Sequence, residues 1–343
     1  MICSYTIKMA GPYHLANGIP CQDSFSVAHK GDLVVAAVGD GVGSEPHSEM
    51  GSSLATETAV RLCIRAIDSD SKTEEVINAI QDSFLAAYGA VCLAAEEDGN
   101  PVTQYDTTLC LAVWDGVRLV YGQSGDSGMI AALSDGHYIV VTEQQRDAEG
   151  CVFPLRFGPQ YWRFESVTEP VASVLLATDG FLEALCHPLL RFGDRSINAA
   201  LARLFLHRTE LTADEHDEFE RSAYEFLRAY PESDLDDDKT AVVLADPAHP
   251  PALLEDDYYA VPDWETLRTK AKEGFYPGLS SGEESDAKWN DDLKGKAEGE
   301  TARKKPNQNL RDVRYSKNSR RARSQGRRKP TKRKPSKLAR QTQ

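Results

Sequence analysis

The chain has 343 residues, 41% of them hydrophobic and 27% charged, which excludes a collagenous or wholly disordered polymer and leaves room for one large or two modest domains. Its net charge of −14 hides a division. Residues 303–343 hold 17 Lys and Arg against the single acid Asp312, a net of +16, while residues 1–302 carry 22 basic and 52 acidic side chains, a net of −30.

An acidic body of this kind repels nucleic acid, so any polyanion binding falls to the basic end. The opening MICSYTIKMAGPYH lacks a basic n-region and a long apolar h-region, so it does not read as a signal peptide. No stretch approaches the roughly 18 consecutive apolar residues of a membrane span. A cytoplasmic location without membrane contact is the expectation. Seven scattered cysteines, with no CxxC or Cys/His cluster, argue against a disulfide framework or a structural zinc and for reduced thiols.

In chain order, short runs rich in β-branched and aromatic residues predict strands at 4–9, 25–28, 33–38, 107–113, 117–122, 129–133, 138–142, 174–177 and 241–244. Asp115-Gly116 and Asp135-Gly136 stand between apolar runs, a strong short-range hairpin signal because both turn residues can take positive φ. Helical periodicity marks 47–67, 73–95, 195–207 and 211–229. A strand block interrupted by paired helices, without regular β-α alternation, predicts an α+β fold with helices covering antiparallel sheets. Residues 143–170 show weak periodicity and are expected to form a loop or flap.

The domain boundary is expected near 246. Residues 247–302 begin with Asp246-Pro-Ala-His-Pro-Pro251 and continue through acidic and Gly/Ser-rich sequence, the composition of a linker. Within it a short helix is expected near 263–272, with Asp263 as N-cap and with Trp264 and Leu267 on the face that docks on the parent domain. Residues 303–343 have too little apolar surface to fold alone and are expected to be disordered. Two roles for this tail stay open, a nonspecific arm for nucleic acid or an acidic protein and a segment that folds back on its own acidic body.

The chemistry-bearing pattern is acidic. Gly39-Asp40-Gly41-Val42-Gly43, Gly125-Asp126-Ser127, Ala177-Thr178-Asp179-Gly180 and Asp236-Asp237-Asp238-Lys239-Thr240 each place aspartates at a strand end, and Asp23 immediately precedes a strand. Carboxylates gathered in one small volume repel each other unless protons or cations intervene. Oxygen ligands without His or Cys suit Mg²⁺ or Mn²⁺. One Asp-Gly is an ordinary turn, but the whole set in this order resembles the metal-dependent type 2C serine/threonine protein phosphatases, especially the shorter bacterial members, over residues 1–246.

The resemblance implies two packed antiparallel sheets flanked by helix pairs, with two Mg²⁺ or Mn²⁺ ions and a weaker third in a cleft at one edge. By the same resemblance Asp40 bridges the two ions and Gly41 offers a backbone carbonyl to the second. Asp179 and Asp237 are first-metal ligands, Asp23 supports the second metal through water, and Asp126 contributes to the third site. Asp238 stands where the family commonly has Asn and is the candidate support behind the ligands. The implied activity is hydrolysis of phosphoserine or phosphothreonine in proteins by a metal-activated water, opposite a kinase. No Cys-x5-Arg loop is present, and the one G-x-S-x-G string, Gly278-Leu279-Ser280-Ser281-Gly282, falls in the Gly/Ser-rich linker and not between a predicted strand and helix, so it is no nucleophile elbow.

The sequence departs from the family in lacking a His after the Asp-Gly, where it has Val42, and in lacking the arginine before the first acidic pair, near Gly18. His14 is the candidate general acid or phosphate contact, and His47 is a second. Thr107 and Thr108 are read as fixing strand register. The competing function is a catalytically weak phosphatase-like scaffold whose basic tail recruits nucleic acid or an acidic partner.

Overall fold

The computed structural model describes residues 2–207, 221, 225 and 237–275. Among them are ten strands: β1 (Cys3–Met9), β2 (Ser24–Lys30), β3 (Leu33–Gly39), β4 (Leu109–Trp114), β5 (Leu119–Ser124), β6 (Gly128–Leu133), β7 (Tyr138–Val140), β8 (Arg163–Val167), β9 (Val171–Ala177) and β10 (Lys239–Ala245). They pair antiparallel into two five-stranded sheets ordered β2-β3-β4-β5-β8 and β1-β10-β9-β6-β7. The helices are α1 (Pro12–Asn17), α2 (Ser48–Ala66), α3 (Thr73–Glu97), α4 (Asp179–Leu185), α5 (Ala199–Leu206) and α6 (Trp264–Phe275). The α+β fold expected from the hairpins and paired helices is present, and so are the two packed sheets that the resemblance implies.

Alternation along the strands explains the layers. In β3, Val34, Ala36 and Val38 face the second sheet, packing with Trp114, Met129, Val174, Leu176 and Val242. Leu33, Val35 and Ala37 face α2 and α3, packing with Ala59, Cys63, Ile80 and Phe84. The second sheet repeats this arrangement, because Ala241 and Val243 of β10 pack with Phe181 and Phe205 of α4 and α5. Strands covered on both faces carry continuous apolar sequence where a half-solvated strand would alternate.

Both Asp-Gly hairpins form, with Gly116 at φ 84° and Gly136 at φ 95°. The Asp115 carboxylate accepts the Val117 and Arg118 amides, and Asp135 accepts that of His137. Each turn is thus closed by its own aspartate.

By length and composition α3 could cross a membrane, with mean hydropathy 1.4 over 18 residues. Its stripe of Val76, Ile80, Phe84, Ala87 and Val91 instead packs on the first sheet, where Phe84 meets Phe164 of β8 edge-on at 5.2 Å.

The sequence reading missed β8, α1 and α4. In β8 only Phe164 and Val167 pack inward, too few for a period-2 signal, and α1 and α4 span six and seven residues. The helix expected at 211–229, the Gly/Ser stretch beyond 275 and the basic tail lie outside the described residues.

Residues 247–275 lie against the domain through more than the one docked helix expected of this linker. The Ala252 amide donates to Ser134 O, the Tyr138 amide donates to the Tyr258 hydroxyl, and Tyr259 is buried in the core. Asp263 accepts hydrogen bonds from the Thr266 amide and hydroxyl. The helix that follows buries Leu267 and Ala271, with Trp264 beside them, on Leu189, Leu190 and Phe192.

Candidate metal centre

The strand ends bring the predicted acids to one edge of the sandwich. Asp40 follows β3, Asp126 lies in the β5–β6 connection, Asp179 opens α4, and Asp237 and Asp238 immediately precede β10. One carboxylate oxygen from each of Asp40, Asp126 and Asp179 lies within 4.8 Å of the other two. Asp40, Asp179 and Asp237 are partly open to solvent, whereas Asp23 and Asp126 are buried.

The backbone around Asp40 is fixed by its neighbours. Its amide donates to Thr108 Oγ1 at 2.9 Å, and its carbonyl accepts from the Thr108 amide at 2.8 Å and from Thr107 Oγ1 at 3.0 Å. These threonines, just ahead of β4 and not in it as the sequence suggested, therefore hold the loop that presents the carboxylate. Gly41 is required by close approach, because a Cβ there would lie 2.6 Å from Gln22 O and 2.8 Å from Ser48 O. At Gly180 a Cβ would lie 2.1 Å from Asp238 O, so only glycine lets α4 start against the second acidic segment.

The electrostatics follow from the crowding. Burial first, then the charges of Asp179, Asp23, Asp237 and Asp126, hold the Asp40 carboxyl well above the usual carboxylate range. Asp179 is raised likewise by burial, Asp126 and Asp237. Asp23 is pushed up to about 7 by burial and the charge of Asp238, against a 2.7 Å hydrogen bond donated by Thr178 Oγ1. Asp126 is raised by burial, with Arg146 opposing, and its Oδ1 is buried without a hydrogen-bond partner. An oxygen-only cluster that resists losing its protons, with an orphaned carboxylate oxygen among them, fits hard divalent cations.

Asp238 and His14 are placed differently. Asp238 is buried and accepts the Gly11 amide at 2.7 Å, the Gln22 amide at 2.6 Å and His14 Nδ1 at 2.8 Å. It thus ties α1 and the Gln22-Asp23 segment to the start of β10. His14 is buried, with Nδ1 committed to this carboxylate. His47 precedes α2, stacks on Tyr105 at 5.1 Å and contacts the Asn100 amide group at 3.2 Å.

The sequence reading missed Arg146. Its Nε lies 2.8 Å from Asp126 Oδ2 and its Nη2 2.8 Å from Asp179 Oδ2, so a guanidinium spans two of the predicted ligands. Burial works against its charge, but Asp126, Asp179 and Glu183 outweigh burial and raise its pKa. Arg146 sits in a tight hairpin within residues 143–162, bridged to Val152. The available signal was the turn, where Asp147 Oδ1 accepts the Glu149 and Cys151 amides and Gly150 takes φ 83°. The contact to the acids itself leaves no mark in the sequence.

A sequence profile described as protein phosphatase 2C matches residues 10–215. The chain belongs to the protein phosphatase 2C family. This phosphatase is similar in fold to a bacterial serine phosphatase, at 12% identity over 74% of this chain and 100% of that one with a TM-score of 0.50. It is also similar to the serine/threonine phosphatase Stp1 from Staphylococcus aureus, at 13% identity over 71% of this chain and 95% of that one with a TM-score of 0.50. No curated protein matches the chain significantly. As a protein phosphatase 2C, the chain is a serine/threonine phosphatase that acts on phosphoproteins.

Proposed function

We propose that this phosphatase hydrolyses phosphoserine and phosphothreonine in proteins with two divalent cations, Mg²⁺ or Mn²⁺, held at the acid-lined edge, and a weaker third. The observation that carries the reading is the convergence of the Asp40, Asp126 and Asp179 carboxylates with raised proton affinities. Asp40 with the Gly41 carbonyl, Asp179 and Asp237 would hold the two cations, Asp23 would support them, and Asp126 would serve the third. Bound there, such ions supply a water of lowered pKa and a clamp on the phosphate oxygens, so that no nucleophilic side chain is needed.

The remaining work falls to the chain's own groups. Thr107 and Thr108 orient the Asp40 loop, and Thr178 orients Asp23. Asp238 holds Gln22 and His14 behind the ligands, which gives His14 a positioning role in place of the general acid role expected from sequence. Arg146, paired with Asp126 and Asp179 while those carboxylates lack cations, has the planar fork that suits phosphate and would take over the phosphate-holding role of the arginine missing near Gly18.

The test is hydrolysis of a small aryl phosphate and a phosphothreonine peptide with Mn²⁺, with Mg²⁺ and after chelation. Activity that survives EDTA unchanged would sink the metal mechanism. We further propose a cytoplasmic signalling enzyme working opposite a kinase, with residues 303–343 adding salt-sensitive association with nucleic acid or an acidic protein. Truncation before residue 303 should abolish that association and spare small-ester hydrolysis.

A further inference from the structure

Asp106 and Arg156 form a two-pronged ion pair that the metal site itself does not use. Arg156 Nε donates to Asp106 Oδ1 and Nη2 to Oδ2, both at 2.7 Å. Asp106 is 8% exposed, and Arg156 lies in the short turn Leu155–Phe157 at the far side of the flap. Among the described residues Arg156 is the one cation paired with this carboxylate. A buried carboxylate stripped of its cation is strongly unfavourable, so the two residues stand or fall together.

Their place in the backbone gives the pair its meaning. The Asp106 carbonyl accepts the Val42 amide at 2.9 Å. The next residue, Thr107, donates its hydroxyl to Asp40 O at 3.0 Å while its own carbonyl accepts the Leu155 amide at 2.8 Å. Thr108 then donates its amide to Asp40 O at 2.8 Å. Three successive residues thus hold the 40–42 loop on one side and the flap turn on the other, and the ion pair across that junction is Asp106 to Arg156, with the charge of Glu45 beside the same guanidinium.

We propose that the Asp106–Arg156 pair is a positioning clamp that fixes the 40–42 loop against the flap and thereby sets how tightly Asp40 and Gly41 hold divalent cations. This rests on the reading of residues 40 and 41 as part of the metal centre. Both carboxylate oxygens are engaged in parallel, so the clamp needs the guanidinium fork; a lysine ammonium reaches one oxygen and leaves the other bare. The pair touches neither substrate nor cation and acts through the loop.

The experiment is Mn²⁺ titration by calorimetry of the chelator-treated full chain, with circular dichroism to confirm folding and with kcat and KM for p-nitrophenyl phosphate. Arg156→Met should weaken Mn²⁺ binding about 10- to 100-fold, the usual effect of removing a group that orients a ligand. Arg156→Lys should recover only part of that loss. The apolar double variant Asp106→Leu with Arg156→Met removes both charges and keeps the volume filled, so it should melt near the wild type yet retain the deficit in Mn²⁺ affinity. In all three, kcat at saturating Mn²⁺ should stay close to wild type, because the cations once bound are held by the same ligands.

Wild-type Mn²⁺ affinity in the folded double variant, or in Arg156→Lys, overturns the clamp, since the pair would then serve stability alone. Asp40→Asn separates the two levels of the argument. If Asp40→Asn loses Mn²⁺ binding while the clamp variants keep it, the clamp alone fails. If Asp40→Asn binds Mn²⁺ like the wild type, the reading of the centre fails and the clamp loses its target.

Discussion

Asp40, Asp179 and Asp237 sit at the ends of β3, β9 and β10, inner strands buried on both faces, so the sandwich core itself fixes their backbones. Arg146 reaches one of these carboxylates, Asp179, together with Asp126, from a hairpin held by a few polar contacts: the Gln145 amide to Gly125 O, the Gly125 amide to Gln145 Oε1, and Gln123 Nε2 to Glu143 O. The contrast separates two ways of holding charge. The strand ends enforce repulsion that folding alone could not justify, while the flap brings a cation that relieves it. Site geometry that costs stability is placed on the rigid element, and the compensating group on the lighter one.

The largest expected effect tests the rigid side. Asp40→Asn and Asp179→Asn should each lower kcat/KM for a small phosphate ester by about a thousandfold or more, since several kcal/mol of transition-state stabilisation depend on the cations these residues hold. The metal-free proteins should nevertheless melt no lower than wild type, because each substitution removes one charge from a repelling set. A lowered melting point with unchanged turnover would invert the comparison.

The flap side should give a smaller, differently signed result. Arg146→Gln should cut kcat/KM about 10- to 100-fold, the scale of a lost charge-assisted hydrogen bond, and should lower the melting point of the metal-free protein by leaving Asp126 and Asp179 facing each other unneutralised. It should also tighten Mn²⁺ binding, because the guanidinium no longer competes for those carboxylates. Weaker Mn²⁺ binding in this variant would show that Arg146 supports the site and does not compete for it.

These two sides were not equally legible in the sequence. The aspartates could be read because the chemistry demands that residue type at strand ends, and because Gly41 and Gly180 mark places where backbone approaches backbone too closely for a Cβ. The antiparallel sheets and their covering helices could be read because two Asp-Gly turns join apolar runs and the helices come in pairs, while the packing of two sheets into a sandwich followed from the family resemblance. Arg146, Asp106 and Arg156 could not, since their partners lie 20 to 50 residues away with no periodicity linking them. The partner of His14 was hidden for the same reason: its nearness to Asp23 in sequence suggested the cleft, and nothing nearby points to Asp238, 224 residues away, which takes its Nδ1. His14→Gln should accordingly lower thermal stability while leaving turnover at saturating substrate within about tenfold of wild type, well short of the full general-acid contribution of 10² to 10⁴. A larger loss of turnover with an unchanged melting point would return His14 to the chemistry.

The smallest effect concerns pH. The Asp23 carboxyl is pushed up to about 7 in the folded chain, against about 4 in an unfolded one. The folded state therefore binds this proton more tightly, so the stability the group contributes is complete below about pH 4 and is lost as the pH rises toward 7. Asp40, Asp126 and Asp179 shift in the same direction. Exposed carboxylates with lowered pKa, such as Asp135 and Asp263, titrate with the opposite sign, so the total pH profile does not isolate the cluster. The difference between wild type and Asp23→Asn does, because asparagine keeps an oxygen to accept the Thr178 hydroxyl but carries no proton to lose. In chelator the two melting points should nearly coincide around pH 4 and separate toward pH 7 with the variant higher, by a few degrees at about 2 to 4 °C per kcal/mol for a domain of this size. With saturating Mn²⁺ the order near pH 7 should reverse, since the cations favour the ionised carboxylate. A difference independent of pH in chelator would mean that Asp23 stays ionised in the folded chain across this range, and that the flap and Thr178 neutralise the edge more fully than the burial of its carboxylates implies.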